Sequence, residues 1–489
     1  MNVKRKANSN PKSQRSSLAS ACSKINKMRF FLQTLAAVAA AATTVLAVPM
    51  ETREVQFPDP NDDPFYRTPD NIGTYTNGQI IQSRAVKTDI GFLNGAASYQ
   101  LLYRTTNTSM EPEATVATVW IPAKPASPPK IFSFQVHEDS TQLDCAPSYN
   151  FLSGYGGPNE IPTSTDTPYY ITWALLQGYY VVSPDHEGPN SAFVGGYQEG
   201  RATLDGVRAL RNFENLPSDS AVGLYGYSGG AHASAWAASL AESYAPDINV
   251  VAAAYGGLPA SLRDLITPLR TGPFSGLVIA GLSGVALAYP EVDAFLQSQF
   301  NDKGREVFKQ VRSRGACLAQ VAVRYAFTDF YTFFSHSSFE FFKEPLTNKV
   351  LATESLLQSQ ANHVVPVPKF PRYIWHAHED EIVKFSVAEQ YVKEQCAKGA
   401  NINWNVYPLF GHITVQTLGP IPALYWMGQA MNGQAPQVEC GKSFTPIAGV
   451  NSPTAEQVLG PDLARKFARL NGTEAPFGLR FGPMTLPAA

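Results

Sequence analysis

Val222-Gly223-Leu224-Tyr225-Gly226-Tyr227-Ser228-Gly229-Gly230-Ala231-His232-Ala233 is the stretch on which the fold turns. Val222 to Tyr225 has the short apolar character of a buried strand, and the Ala-rich run from Ala231 to Glu242 that of a helix. Between them stands G-x-S-x-G, Gly226 to Gly230. On a sharp strand-to-helix turn such a serine is held with its hydroxyl exposed, and glycines are needed on both sides because a Cβ would strike neighbouring backbone. The pattern by itself is common in turns. With a strand before it and a helix after it, the reading is a nucleophile elbow with Ser228 as the nucleophile.

Strand and helix signals alternate outward from this turn. Strands are expected at Thr115 to Ile121, Ile131 to Val136 and Tyr179 to Ser183, a helix at Tyr197 to Phe213, and then the elbow. The alternation resumes with a strand at Pro371 to His376, a helix at Val387 to Cys396, a strand at Ile402 to Tyr407 and a helix near Leu424 to Met431. This is the signature of an α/β fold with a mostly parallel sheet covered by helices. Between about Leu258 and Thr353 the alternation breaks. Thr271 to Pro290 carries no charge and four glycines, an amphipathic stretch runs from Gln297 to Arg314, and Phe327, Phe330, Tyr331, Phe333, Phe334, Phe339, Phe341 and Phe342 follow. A helical subdomain inserted into one sheet accounts for this better than a membrane span, since the Gly and Ser content makes the segment only mildly apolar.

A serine hydroxyl needs a base, and the base an orienting acid. His232, His336, His363, His376, His378 and His412 adjoin or follow the elbow. Only His412 lies directly after a strand, at Leu409-Phe410-Gly411-His412, with an acid at the end of the preceding strand. That acid is Asp380, although Glu379 and Glu381 flank it and order alone does not choose among the three. His376, His378 and Asp380 also alternate as metal ligands on one strand face would, but no companion cluster completes a site. Acyl transfer further needs donors for a developing oxyanion. Gly229 supplies one backbone N–H, and the second is expected from the loop Gln135 to Ser140, within which spacing does not choose.

The full chain is nearly neutral, with 38 Lys+Arg, 40 Asp+Glu and a net charge of −2. That total hides a division. Residues 1–47 hold eight basic side chains and no acidic one, then an apolar run from Phe30 that closes on Val45-Leu46-Ala47, the anatomy of a signal peptide with an extended basic n-region. Without it, 30 basic and 40 acidic side chains give −10, which argues against a nucleic-acid partner. Export leaves Cys145, Cys317, Cys396 and Cys440, an even set that reads as two disulfides in one of three connectivities. Asn107-Thr108-Ser109 and Asn471-Gly472-Thr473 are glycosylation candidates. The expected product is extracellular and without an integral membrane anchor; a monomer is favoured, though the sequence does not fix the oligomeric state.

Longer segments carry a family likeness. Phe132-Ser133-Phe134-Gln135 after the Pro-rich turn, Asp144-Cys145-Ala146-Pro147-Ser148-Tyr149, Ser183-Pro184-Asp185-His186-Glu187-Gly188, the elbow with Ala231-His232-Ala233, and Ile374-Trp375-His376 through Asp380-Glu381-Ile382-Val383 resemble the fungal secretory lipase family. The likeness extends over nearly all of the chain after the leader. It implies an α/β-hydrolase core at 48–257 and 354–440, a helical lid insertion at 258–353, and a C-terminal flap and tail at 441–489. It also implies Ser228, Asp380 and His412 as the triad, Asp139 and Gly229 at the oxyanion hole, disulfides Cys145–Cys317 and Cys396–Cys440, and no cofactor or metal. The activity implied is triacylglycerol hydrolysis, on lipid esters at an oil–water interface. His378 and Glu379 depart from the family pattern beside the acid, and the lid is richer in Phe, which leaves acyl length and pH optimum open. A serine peptidase or general carboxylesterase on the same fold is the alternative; a catalytically dead binding protein is disfavoured because every triad type is present in order.

Overall fold

A computed structural model describes residues 57–88, 90, 96–155, 167–336, 340–444 and 453–472. The calls made on the leader, on Phe339, on residues 445–452 of the flap and on the side chain of Asn471 lie outside the described residues.

Among the described residues ten strands form one sheet in the order β1-β2-β3-β5-β4-β6-β7-β8-β9-β10. Strands β1 (Ile80–Ala85), β2 (Ala97–Thr106) and β3 (Pro112–Ile121) are antiparallel, and β3 runs antiparallel to β5 (Tyr180–Pro184). All later neighbours are parallel: β4 (Lys130–Gln135), β6 (Ala221–Tyr227), β7 (Val250–Gly256), β8 (Arg372–Ala377), β9 (Ile402–Tyr407) and β10 (Ser443–Phe444). The chain leaves β4 for β5 on one side and returns to β6 on the other. The loops after β4 and β6 therefore face each other across a switch in strand order, where parallel sheets open a crevice at their carboxyl ends.

The connections are helical. After a short α1 (Pro147–Asn150) come α2 (Thr167–Leu176) before β5, α3 (Gly196–Phe213) before β6 and α4 (Gly229–Tyr244) before β7. Side chains alternate across the strands and divide two cores. Ile131, Val222, Leu224, Tyr255 and Ile374 pack with Leu204, Leu210 and Trp236 of α3 and α4. The opposite face is aromatic: Phe132 meets Trp173 at 5.5 Å, and Tyr225 meets Trp375 at 5.7 Å between ring centroids. The whole arrangement is an α/β-hydrolase fold.

The expected break lies between β7 and β8, where the chain forms α5 (Leu262–Leu269), α6 (Ser275–Ala288), α7 (Pro290–Gln299), α8 (Asp302–Val311), α9 (Leu318–Arg324) and α10 (Pro345–Thr353). The uncharged segment is one helix, α6, and Pro290 opens the next, where its missing N–H costs nothing. The amphipathic stretch read from Gln297 to Arg314 is broken at Phe300, because Asn301 caps α8 by accepting the Gly304 N–H at 3.0 Å. Phe330, Phe333, Phe334 and Phe341 are the insertion's own buried core, whereas Phe327 is 56% exposed. Among the described residues no helix is long and apolar enough to cross a membrane. After β8 follow α11 (Phe385–Ala397), β9, α12 (His412–Leu418), α13 (Pro420–Ala430), β10, α14 (Pro453–Leu459) and α15 (Pro461–Gly472).

Disulfides join Cys145 to Cys317 and Cys396 to Cys440. The first does not act alone. Around it the loop after β4 is stitched to residues 311–318 of the insertion: Thr141 Oγ1 donates to the Val311 carbonyl at 2.9 Å and Gln142 Nε2 to the Arg312 carbonyl at 2.5 Å. In return the Gly315 N–H donates to Asp144 at 2.8 Å and the Leu318 N–H to Ser140 Oγ at 3.1 Å.

Candidate active site

Ser228 sits between the last residue of β6 and the first of α4 with φ 53° and ψ −121°, a conformation few non-glycine residues hold. The elbow leaves no room for larger neighbours. A Cβ on Gly226 would lie 2.1 Å from the Gly230 carbonyl oxygen, and one on Gly230 would lie 2.1 Å from that of Gln135. The Ser228 N–H donates to the Gly256 carbonyl at 2.9 Å, which ties the turn to β7.

Four strand ends converge here. Ser228 follows β6, Asp139 lies in the loop after β4, Asp380 in the loop after β8, and His412 just beyond β9. His412 Nε2 stands 2.9 Å from Ser228 Oγ, and His412 Nδ1 stands 2.8 Å from Asp380 Oδ2. Because Nδ1 faces a carboxylate it carries the proton, and Nε2 is left to accept from the serine hydroxyl. The Asp380 side chain is fully enclosed and accepts from the Ile382 and Val383 N–H groups at 3.0 and 2.6 Å. Burial resists its charge, but His412, His376 and these bonds hold its carboxyl below the ordinary value. Burial likewise opposes the charged form of His412, yet Asp380, then Glu381 and Asp139, raise it above the usual imidazole range.

The open choices of the sequence resolve as geometry. Glu379 is exposed and pairs with His378 at 3.1 Å, away from His412, while Glu381 meets the His412 main chain and not its ring. The metal alternative dissolves for a related reason. Strand β8 ends at Ala377, so Asp380 is not on it, and the buried His376 donates from Nε2 to the Val383 carbonyl at 2.9 Å. His412, read as a loop residue, is the first residue of α12.

Asp139 has φ 49° and is buried against the elbow; a Cβ on Gly229 would fall 1.9 Å from its Oδ1. Burial pushes its carboxyl up to about 7, with Glu199 adding to the effect. Gly229 opens α4, where N–H groups have no acceptor within the helix, so that donor is directed out of the turn. The loop carrying Asp139 is propped from below: His186 Nε2 donates to the Val136 carbonyl at 2.8 Å, and Asp185 accepts the Ser148 N–H at 2.8 Å and its hydroxyl at 2.5 Å. These contacts bring Ser183 to Gly188 against Ser148 and the start of the loop that carries Asp139. Residues missed by the sequence reading include Tyr227, whose hydroxyl donates to the His412 carbonyl at 2.6 Å, and Glu199, whose carboxylate meets His232 Nδ1 at 2.7 Å beneath the elbow.

Ser228 opens on a cavity of about 770 Å³, its mouth included, that runs into the insertion. Its wall is built from Leu262, Ile266, Val278, Leu282, Val285 and Leu351 of the inserted helices, with Phe193, Val194, Ile382 and Val383 from the core. Apart from Ser228, Thr347 is the one hydroxyl in the lining, and it is turned to the Phe341 carbonyl at 2.5 Å. A polar chain would find few partners there, whereas an extended hydrocarbon would lose nothing by entering.

The model of the secretory lipase family matches residues 159–439. Lipase A of Moesziomyces aphidis is 54% identical over 464 residues, covering 94% of this chain and all of the relative. A secreted triacylglycerol lipase of Malassezia furfur is 33% identical over 387 residues, 78% of each chain. Among solved structures, Candida antarctica lipase A in its closed state superposes with a TM-score of 0.84 at 54% identity, over 88% of this chain and all of that one.

Proposed function

The chain belongs to the secretory lipase family, and from that membership we propose that it is a secreted triacylglycerol lipase, acting on carboxylic esters of acylglycerols. The observation that carries the reading is the Ser228 hydroxyl, bonded to His412 and opening on an apolar cavity. His412 Nε2 takes the proton of Ser228 as its oxygen attacks the ester carbonyl. The oxyanion is held by the backbone N–H groups of Gly229 and Asp139, each such donor contributing roughly 3 to 4 kcal/mol to the transition state. The imidazolium, stabilised by Asp380, returns the proton to the leaving alcohol; His412 then takes a proton from water as it attacks the acyl carbonyl and gives it to Ser228 Oγ as the acyl–oxygen bond breaks, releasing the carboxylic acid. The proposed steps call on no cofactor or metal.

The insertion at 258–353 serves as the lid and as the acyl-binding wall, and the region 441–489 as a flap and tail. Residues 1–47 direct export, and Asn107 and Asn471 are the glycan acceptors. The site works on a lipid ester at an oil–water interface as a monomer. Apolar lining favours this over a peptidase, whose substrate backbone would need hydrogen-bonding partners along the cleft. The test is turnover of emulsified triacylglycerol beside a peptide series, with fluorophosphonate labelling of wild type and Ser228→Ala. Lipolysis and labelling, both lost in S228A, are the expected outcome. Labelling that survives S228A, or peptide cleavage without lipolysis, would overturn it.

A further inference from the structure

Glu381 stands beside the triad acid, but its carboxylate is engaged elsewhere. Oε2 accepts the main-chain N–H of His412 at 2.7 Å, and Oε1 lies 3.5 Å from the N–H of Ile413. These are the first two residues of α12, whose opening N–H groups have no acceptor within the helix, and the N-cap residue Gly411 has no side chain to offer one. Glu381 reaches across from the loop after β8 and supplies it. A Cβ on Gly411 would fall 2.2 Å from Glu381 Oε2, so the glycine is what lets the carboxylate approach. From the other side the Tyr227 hydroxyl donates to the His412 carbonyl at 2.6 Å. The peptide that carries the imidazole is thereby gripped at both ends.

We propose that Glu381 is a positioning residue for His412, fixing the main chain from which the ring is presented to Ser228, while Asp380 fixes the ring itself. The inference rests on the reading of His412 as the general base. Two adjacent carboxylates divide one task, and neither substitutes for the other: Asp380 is enclosed and bonded to Nδ1, Glu381 is half-buried and bonded to the backbone. Glu381 also acts by its charge. The groups that face His412 are the carboxyls of Asp380, Glu381 and Asp139 and the imidazoles of His376 and His137. Burial disfavours the imidazolium; the three carboxyls favour it, Glu381 second after Asp380. Removing the Glu381 charge lets His412 become neutral at lower pH, and the acid limb of the rate profile moves down.

The experiment measures kcat and KM for a soluble short-chain ester across pH in wild type, E381A and E381Q, with S228A and H412A alongside. In E381A kcat falls roughly ten- to a hundredfold, the loss of one charge-assisted bond, with KM within about twofold because the acyl cavity is untouched. E381Q keeps a carbonyl acceptor for the His412 N–H and recovers most of kcat, yet its acid limb is displaced downward because the charge is gone. Wild-type kcat in E381A, E381Q no better than E381A, or an unmoved acid limb in E381Q overturns the proposal. If E381A does not accumulate as folded protein, the limb in E381Q decides alone. Activity retained in S228A or H412A would instead sink the underlying reading of the site.

Discussion

Removing the Cys145–Cys317 bridge separates two things that a disulfide can do. It closes a loop of 172 residues, and Cys396–Cys440 closes one of 44. Loop entropy assigns them about 5 and about 4 kcal/mol as upper figures, so stability alone barely tells the two apart. Their surroundings differ much more. Cys145 lies six residues beyond Asp139, on the loop whose Ser140, Thr141, Gln142 and Asp144 are bonded to residues 311–318. Cys396 lies at the end of α11, 16 residues from Asp380 and 16 from His412, and not on a loop that carries either. The four hydrogen bonds around Cys145–Cys317, of about 1 kcal/mol net each, can open one at a time in the native state, whereas the covalent tie cannot. In Cys145→Ser/Cys317→Ser the loop that carries Asp139 should loosen, and on the proposed mechanism kcat per folded molecule should fall, by up to roughly a hundredfold if a donor at Asp139 is lost altogether. In Cys396→Ser/Cys440→Ser kcat stays within about twofold while stability drops comparably. Urea unfolding followed by tryptophan fluorescence gives the stabilities; turnover of a soluble ester at a temperature where both variants are folded gives the rates. Equal kcat in the two variants would refute the expectation that the insertion steadies the loop carrying Asp139.

Asp380→Asn should lower kcat roughly 10⁴-fold by favouring the wrong tautomer of His412, whereas Glu379→Gln, at an exposed position, should leave it near wild type in the same ester assay. Gly281 lines the cavity with nothing closer than 3.8 Å to an added Cβ, so Gly281→Phe should fill the channel and shift preference toward short acyl chains, read as the ratio of kcat/KM for short and long esters. Glu113 is buried, and burial pushes its carboxyl up to about 8 from an ordinary 4.5. A raised carboxyl contributes stability that is present below about 4.5 and lost as pH rises through about 8. Wild-type Tm should therefore decline across that window, and Glu113→Gln should show a shallower decline; parallel curves would count against an enclosed, protonated Glu113.

The parts legible in the sequence are those where chemistry and local geometry coincide. Ser228 announces itself because the glycines around it have one structural use, and His412 because it follows a strand. Which of Glu379, Asp380 and Glu381 meets the His412 ring did not follow from the residues' order, since three carboxylates in a row offer the same atoms and only the path of the loop tells them apart. Strands β1, β2 and β7 escaped for different reasons. β1 is an edge strand with exposed residues, β2 carries the buried Gln100 bonded to the Ser148 carbonyl at 2.7 Å, and β7 is rich in alanine, so none shows a strong apolar alternation. The seam between 140–145 and 311–318 joins backbone carbonyls to side chains far apart in sequence, a kind of pairing that leaves no periodic trace.

The insertion falls between β7 and β8, so the chain must make α4 and then the insertion's helices α5 to α10 after Ser228 before it reaches Asp380 and, 184 residues beyond the serine, His412. During synthesis the elbow, with its central strands β4, β5, β6 and β7, emerges first, and domains begin to organise as they emerge. For all that time Ser228 lacks the imidazole and the carboxyl that stand beside it in the finished fold. Connectivity thus imposes an order on assembly: the serine's turn is built early, and its neighbours His412 and Asp380 arrive only as the last parallel strands close the sheet.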